Sequence, residues 1–187
     1  MENILLDVPE ETLTPRLRLR AVRIGDSAII NPAIVESAKE LAEWMPWAAP
    51  TPSVTDTEKW VRREVARFLT REQFHFLIFL NESSDYLGMC SVFSIDWKTP
   101  AAQIGYWLRT SRRGHGYMTE AAGTLADLAF KTFKCNRVEI RCDADNLPSR
   151  RVAERAGFKL EGTFRKFGHD HHDRLRDLCI YAKLPGE

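Results

Sequence analysis

The sequence lacks a long apolar run and a large charge of either sign. Its 187 residues carry a formal net charge of +1, which excludes the long-range positive field of a general nucleic-acid binder. No apolar run approaches the roughly 20 residues that span a bilayer. The acidic segment at residues 1–11 has too short an apolar run for a signal peptide. We therefore expect a cytoplasmic protein with no membrane partner and no direct binding of nucleic acid.

Cysteine is scarce, and no pair of cysteines has the CxxC spacing. Cys90, Cys135, Cys142 and Cys179 mostly lie in apolar, strand-like segments, which is typical of reduced, buried thiols in a cytosolic protein. The chain also has no repetitive segment and no linker, and its length is that of one ordinary domain. We predict a single domain over residues 1–187.

Strand and helix patterns account for most of the chain. β-rich runs predict strands at 16–23, 74–80, 86–96, 101–108 and 137–144, and a terminal hairpin over 158–184. Apolar periodicity and capping residues predict helices at 25–44, 55–72, 117–133 and 148–157. This order predicts a mixed α/β (α+β) domain whose sheet is mostly antiparallel. One right-handed parallel crossover should join strand 101–108 to strand 137–144.

The loop between strand 101–108 and helix 117–133 has the composition of an anion site. Gly114 and Gly116 allow consecutive backbone N–H groups to turn inward, and the following helix adds unpaired N–H groups and a positive dipole end. Arg112 and Arg113 add positive charge. Such a loop holds a phosphate or pyrophosphate, although the bare motif is also compatible with a plain turn. It has neither the GKS or GKT ending of a P-loop nor the third glycine of a dinucleotide fingerprint.

Two motifs together resemble the GNAT N-acetyltransferase superfamily. The segment RRGHGYMTEA is similar to its acyl-CoA pyrophosphate loop, Q/R-x-x-G-x-G/A, with Ser111 at the first position. The segment DADNLPSRRVAERAGFKLEG is similar to its second signature, an Asn-x-x-Ser before a helix that ends in Gly-Phe. TPRLRLRAV and LAEWMPW resemble the branch of RimJ/RimL-type ribosomal-protein N-terminal acetyltransferases. The resemblance covers about residues 13–184.

The resemblance implies the acyl-CoA N-acyltransferase (GNAT) fold, with helices on both faces of the central sheet. It implies acetyl-CoA as cosubstrate, no metal, and direct attack of a primary amine in a ternary complex, in a splayed gap between strands 101–108 and 137–144. The implied acceptor is the N-terminal α-amine of a (ribosomal) protein. A small-molecule amine or antibiotic acetyltransferase of the same fold and a catalytically weak CoA-binding module are the alternatives. The oligomeric state stays open, with a homodimer as one alternative.

The same resemblance assigns the CoA-binding residues. The expected contacts come from the loop and from the second motif, at Leu108, Arg109, Arg112, Arg113, Gly114, His115, Gly116, Tyr117, Met118, Asn146 and Ser149. A backbone N–H at Leu108 or Arg109, where the strand leaves its ladder, is the expected oxyanion donor. Because Ser111 replaces the Gln or Arg of the pattern, Arg112 or Arg113 could supply the charge instead.

Ser149 and Asn146 are the candidates on the leaving-group side. In RimL-like enzymes the serine of this motif is proposed to hydrogen-bond the CoA sulfur, whereas capping of the helix accounts for both residues equally well. Tyr106 is a second thiol-side candidate or a packed strand tyrosine. Cys142 has no base beside it in the sequence, so we expect a core residue and not a nucleophile.

The sequence shows no unmistakable general base. Gln103 lies where some GNAT enzymes place a glutamate, and an amide cannot accept the proton. Asp96 and His75 are the nearest titratable alternatives. The same sequence is also compatible with Asp96 as a turn acid and with His75 as an ordinary strand histidine.

A histidine-rich turn occupies residues 168–173. His169, Asp170, His171, His172 and Asp173 could bind zinc or nickel. Since no cysteine joins them and alternate residues of a hairpin tip rarely close a tetrahedral site, we favour a solvated turn that contacts substrate. The aromatic pair Trp44 and Trp47 is expected to line an acceptor cleft or to pack between helix and loop.

Overall fold

A single eight-stranded sheet forms the centre of the molecule. The computed structural model describes residues 3–170 and 172–187. The strands are β1 (Glu11–Leu13), β2 (Leu17–Ala21), β3 (Phe74–Leu80), β4 (Tyr86–Asp96), β5 (Ala101–Leu108), β6 (Arg137–Asp143), β7 (Lys159–His169) and β8 (Leu175–Lys183). Their order is β1-β2-β3-β4-β5-β6-β8-β7, and among these strands only the β5–β6 pair is parallel. The predicted mixed, mostly antiparallel sheet is confirmed.

Helices cover both faces of this sheet. They are α1 (Ser27–Glu36), α2 (Ala38–Trp44), α3 (Val54–Leu69), α4 (Tyr117–Lys131) and α5 (Leu147–Arg155). Buried residues of α4 and α5, such as Ala122, Leu125 and Ala153, belong to one core. Ile30 and Val61, from α1 and α3, belong to a second core on the opposite face. None of the described helices is long and apolar enough to cross a membrane.

Two details of the predicted helices were wrong. The helix expected over 25–44 is divided at Ser37, whose buried side chain accepts a hydrogen bond from the Thr110 N–H at 3.0 Å. The helix predicted to begin at residue 55 begins one residue earlier, with Ser53 as its cap, because the Ser53 Oγ accepts the Asp56 N–H. Both contacts depend on how the chain turns before or beyond the helix, which apolar periodicity does not record.

The strands β5 and β6 separate soon after they begin to pair. Their parallel register extends only over Ala101–Gln103 and Arg137–Glu139, while β5 continues to Leu108 beside β4. The Arg109 N–H donates to the Leu87 carbonyl, towards β4. Because successive peptide groups of a strand point to opposite edges, the Leu108 N–H faces the gap on the β6 side. The predicted splayed gap is therefore present in the sheet.

Candidate active site

Two cavities meet at the gap between β5 and β6. The hairpin-side cavity, of about 310 Å³, is bounded by α2, the β5–β6 gap and the β7–β8 hairpin. The loop-side cavity, of about 270 Å³, is bounded by the glycine loop (residues 109–116) and α5. Five residues line both cavities, namely Trp44, Met45, Tyr106, Asn146 and Ser149. We call these five shared residues the junction, since the two cavities adjoin there.

The glycine loop presents a row of unpaired N–H groups. Gly114 and Gly116 have φ angles of 85° and 76°, in the left-handed region that favours glycine. Gly116 is the N-cap of α4. Within the described residues, the N–H groups of residues 113–119 donate to no acceptor. Together with the positive end of the α4 dipole, they form an anion-binding concavity.

Arg16 holds this loop from the far end of the sequence. Its guanidinium donates to the His115 carbonyl at 2.9 Å and to the Glu120 carboxylate at 2.6 Å. It also lies 5.0 Å from the centre of the Tyr117 ring. Arg16 was not among the predicted site residues, since no feature near residue 16 indicates a partner 99 positions further along the chain.

Two of the predicted CoA-binding arginines form ion pairs with carboxylates in the structure. Arg109 pairs with Glu36, and Arg112 lies 2.9 Å from Asp85. Hydrogen bonds from Arg109 and from Ser111 hold the pKa of Glu36 at about 2. Neither arginine lines the loop-side cavity, whereas Arg113 does and makes no hydrogen bond or ion pair with another described residue. The Arg109 N–H also donates to the Leu87 carbonyl of β4, which leaves the Leu108 N–H as the available one of the two expected oxyanion donors.

The other predicted loop residues are mostly at the cavity. Leu108, Gly114, Gly116, Tyr117 and Met118 line the loop-side cavity. His115 does not line it, although its ring stacks on Tyr117 with ring centres 5.4 Å apart.

Two further arginines line the loop-side cavity from α5. Arg151 and Arg155 lie on this wall and have no ion-pair partner among the described residues. Neither arginine was among the site residues predicted from the sequence. Their spacing of four on the helix that follows the Asn-x-x-Ser motif places them on one face, which is the signal that could have identified them.

The junction contains a hydroxyl pair. The Tyr106 Oη lies 3.1 Å from the Ser149 Oγ and donates to the Ser149 carbonyl, also at 3.1 Å. Burial raises the pKa of Tyr106, which keeps the phenol protonated at neutral pH. Asn146 caps α5 by accepting the Ser149 N–H at 3.1 Å. The capping interpretation is thus confirmed for Asn146, while the Ser149 hydroxyl faces the junction.

Cys142 lies beside the junction as a neutral thiol. It is 7% exposed and lines the hairpin-side cavity. Burial raises the pKa of Cys142 to about 11, although a hydrogen bond with Ser149 acts in the opposite direction. Since the thiolate is the nucleophilic form, the structure agrees with the prediction of a core residue.

The structure does not bring Asp96 and His75 to the junction. Asp96 is exposed, and its carboxylate accepts the N–H groups of Lys98 and Thr99, which lower its pKa. The His75 Nε2 lies 3.2 Å from the nearly buried Glu64, and its ring packs against Trp60. Neither Asp96 nor His75 lines either cavity.

The histidine-rich turn forms one wall of the hairpin-side cavity. His169 and Asp170 line this cavity. The Asp170 side chain, only 2% exposed, accepts the N–H groups of His172 and Arg174 and pairs with Arg176. His171 lies outside the described residues. In the described part of the chain, no group of three or more His, Cys, Asp or Glu residues could hold a metal ion.

The tryptophan pair has two different positions. Trp44 lines both cavities and lies under Arg176, whose guanidinium is 5.7 Å from the ring centre. Trp47 lines neither cavity and packs against Trp107 with ring centres 6.5 Å apart.

Gln103 also lines the hairpin-side cavity, at the last paired residue of β5 on the β6 side.

The geometry suits two ligands that meet end to end. An elongated anionic ligand can bind the glycine loop and extend to the hydroxyl pair of Tyr106 and Ser149. A second ligand can reach the same point from the hairpin-side cavity. The arrangement therefore suits group transfer between two substrates.

The comparisons with known proteins agree on one class of enzyme, the acetyltransferases. A family model described as an acetyltransferase (GNAT) domain matches residues 16–159. A putative ribosomal N-acetyltransferase of Bacillus subtilis is 30% identical over 175 residues, covering 91% of this chain and 92% of that protein. The ribosomal-protein-serine acetyltransferase of Escherichia coli is 29% identical over 170 residues, covering 90% and 92%.

A solved structure agrees with these relatives. RimL, a ribosomal L7/L12 alpha-N-protein acetyltransferase in complex with coenzyme A, superimposes with a TM-score of 0.86. It is 26% identical, and the match covers 92% of this chain and 96% of that one.

Proposed function

Because the chain belongs to the acetyltransferase (GNAT) domain family, we propose that it transfers the acetyl group of acetyl-CoA to the N-terminal α-amine of a ribosomal protein. The observation that carries this proposal is that Tyr106 and Ser149 line both cavities, so that a ligand in each can reach the same two hydroxyls. Two of the relatives that match over most of the chain are named for ribosomal proteins, one as a ribosomal-protein-serine acetyltransferase and one as a putative ribosomal N-acetyltransferase. They support this acceptor class above a small-molecule amine.

The glycine loop and α5 supply the groups that would hold acetyl-CoA. The unpaired N–H groups of residues 113–119 suit the pyrophosphate. The guanidinium groups of Arg113, Arg151 and Arg155 add positive charge around the same cavity. Arginine forks suit phosphate oxygens well. With the phosphates held there, the thioester end of the ligand extends to the junction.

In the reaction, the amine nitrogen forms a bond to the acetyl carbon while the carbon–sulfur bond breaks. The nitrogen loses a proton and the departing thiolate gains one. Tyr106 and Ser149 are neutral hydroxyls at the junction. Ser149 can donate a hydrogen bond to the sulfur, and Tyr106 can do so when its O–H turns away from the Ser149 carbonyl to which it otherwise donates. The Leu108 N–H faces the same gap and is our candidate donor to the acetyl oxygen.

The absence of a strong base at the junction favours an α-amine acceptor. None of the five residues shared by the cavities carries a carboxylate or an imidazole. An α-amine with a pKa near ~8 is roughly one-tenth neutral at pH 7, which costs about 1.4 kcal/mol. A lysine amine near ~10.4 would cost about 4.6 kcal/mol. The α-amine therefore needs less help from a base than a lysine amine does, and a water relay is our candidate for that step.

The test is release of the CoA thiol from acetyl-CoA with peptides that begin with Ser or Ala. We expect turnover with a free α-amine and none when the same peptide is blocked at that amine. Spermidine and an amino sugar serve as the small-molecule arm and should react more slowly. No turnover with any of these acceptors, despite CoA binding, would contradict the proposal and favour a CoA-binding module.

We also infer a cytoplasmic location. All four cysteines are buried free thiols, as expected for a protein that matures in a reducing compartment.

A further inference from the structure

The hairpin-side cavity has more acidic than basic groups on its walls. Four carboxylates and two guanidinium groups line it, at Glu43, Asp143, Asp170, Asp177, Arg141 and Arg176. Counted without any partners, these six groups give the cavity walls a net negative charge. The ion pairs of these groups show which charges are left without a partner. Asp170, for example, is paired with both Arg174 and Arg176.

Both guanidinium groups are already matched by carboxylates. Arg176 lies 3.0 Å from Asp145, 3.1 Å from Asp170 and 3.7 Å from Asp143. Arg141 lies 2.8 Å from Glu139, which is outside the cavity. Neither cation is therefore left to attract an anionic ligand.

Two of the four carboxylates have no cationic partner among the described residues. The Glu43 carboxylate makes no hydrogen bond or ion pair with any of the described residues. Asp177 accepts the Lys166 N–H at 2.8 Å, which fixes its direction, but pairs with no cationic side chain in the described part of the chain. These two carboxylates lie on different elements, one on α2 and one on β8, so uncompensated negative charge is present on two walls of the cavity.

An aromatic wall adds a second feature that suits a cation. The Phe167 ring lines the same cavity and is 57% exposed. The face of an aromatic ring attracts an ammonium or guanidinium group, and its edge contacts the apolar stem of a long basic side chain.

From these groups we propose that the acceptor carries a second positive charge, on a Lys or Arg within the first few residues after its reacting amine. The substrate class is thus a basic protein N-terminus, and acidic N-termini are discriminated against. Electrostatic complementarity of this kind determines which partners bind and how fast. The inference rests on the proposed function, because it concerns the acceptor of the same reaction.

The test compares two peptides that differ at one position. Both begin with Ser-Ala and have either Lys or Glu at the third residue, followed by the same neutral residues. We expect kcat/KM for the Lys peptide to exceed that for the Glu peptide by about fivefold or more at low salt. The ratio should fall towards one as sodium chloride is raised to about 0.5 M, because exposed charges are screened.

Variants locate the origin of the preference. Glu43→Gln and Asp177→Asn should each reduce the Lys-to-Glu ratio by roughly twofold or more, since each removes one unpaired charge while conserving the shape of the side chain. Glu82→Gln is the matched control, because Glu82 is exposed in the β3–β4 turn, has no ion-pair partner among the described residues, and lies outside both cavities. It should leave the ratio unchanged.

A binding arm separates the inference from the proposed function. Fluorescein-labelled Lys and Glu peptides are titrated onto the CoA-saturated protein by anisotropy, with the label at the C-terminus. Tighter binding of the Lys peptide supports the charge preference even if no peptide is acetylated, which would contradict only the proposed function. Equal kcat/KM values, equal affinities or no binding of either peptide would each overturn the inference.

Discussion

The smallest unit of the proposed reaction is the hydroxyl pair of Tyr106 and Ser149. The two oxygens lie 3.1 Å apart, and both residues line both cavities. Asn146 fixes the start of α5, and with it the position of Ser149. At the residue scale, the proposed reaction depends on a hydrogen bond from one of these two hydroxyls to the departing sulfur.

Removing either hydroxyl should slow the chemical step. A hydrogen bond to a charged group is worth about 1.5–3 kcal/mol, so Tyr106→Phe or Ser149→Ala should lower kcat by about tenfold or more. The KM for acetyl-CoA should change little, because the phosphates bind elsewhere. Steady-state kinetics and a melting curve check this prediction. Values of kcat within twofold of the unmodified protein for both variants would contradict the assignment.

At the scale of elements, the glycine loop is a turn that Arg16 braces from another part of the chain. Gly116 needs a positive φ to begin α4, and Arg16 binds the loop through the His115 carbonyl. The strand–loop–helix order was predictable, because left-handed glycines and helix starts are local features. The brace from Arg16 was not, because it is a tertiary contact.

The same alanine substitution should act oppositely at two glycines of this region. Gly116→Ala forces a left-handed backbone on a residue with a Cβ atom, so it should destabilise the fold by about 1 kcal/mol and raise the KM for acetyl-CoA. Gly123→Ala, inside α4 with open space at its Cβ position, should stabilise by up to about 1 kcal/mol. Urea unfolding and acetyl-CoA kinetics measure both. Equal effects at the two positions would show that the loop geometry is unimportant.

Loss of the brace should weaken cosubstrate binding. Arg16→Gln removes the hydrogen bond to the loop carbonyl and the ion pair with Glu120, so the KM for acetyl-CoA should rise by about fivefold. Arg23→Gln is the control, since Arg23 makes one weak, exposed pair with Glu10 at 3.5 Å. An unchanged KM in Arg16→Gln would remove Arg16 from the site.

At the scale of the whole molecule, an ion pair and hydrogen bonds connect the helical layer of α1 and α2 to the glycine loop. Glu36, at the end of α1, accepts hydrogen bonds from Arg109 and Ser111. The sequence predicted both regions and the mixed sheet between them. It could not predict that Arg109 pairs with Glu36, because the two residues are 73 positions apart. His75 was likewise misplaced as a candidate base, since its pairing with Glu64 follows from the packing of α3 on the sheet.

The contact of Glu36 with Arg109 and Ser111 should make the free energy of unfolding depend on pH. The pKa of Glu36 is lowered from 4.5 to about 2 in the folded chain, so its contribution is present above pH 4.5 and is lost as the pH falls towards 2. Glu36→Gln should therefore be less stable than the unmodified protein at pH 7, and the difference should narrow below pH 4.5. Urea unfolding across this range measures it, with Glu82→Gln as the control. A constant difference would show that Glu36 has an ordinary pKa.

The central claim is that the two cavities join an acetyl donor to an α-amine. Its most direct test is tandem mass spectrometry of a peptide that begins with Ser and contains one internal Lys, after incubation with acetyl-CoA and the protein. We predict a single acetyl group on the α-nitrogen and an unmodified lysine side chain. Acetylation of the lysine ε-nitrogen, or no acetylated peptide at all, would contradict the account.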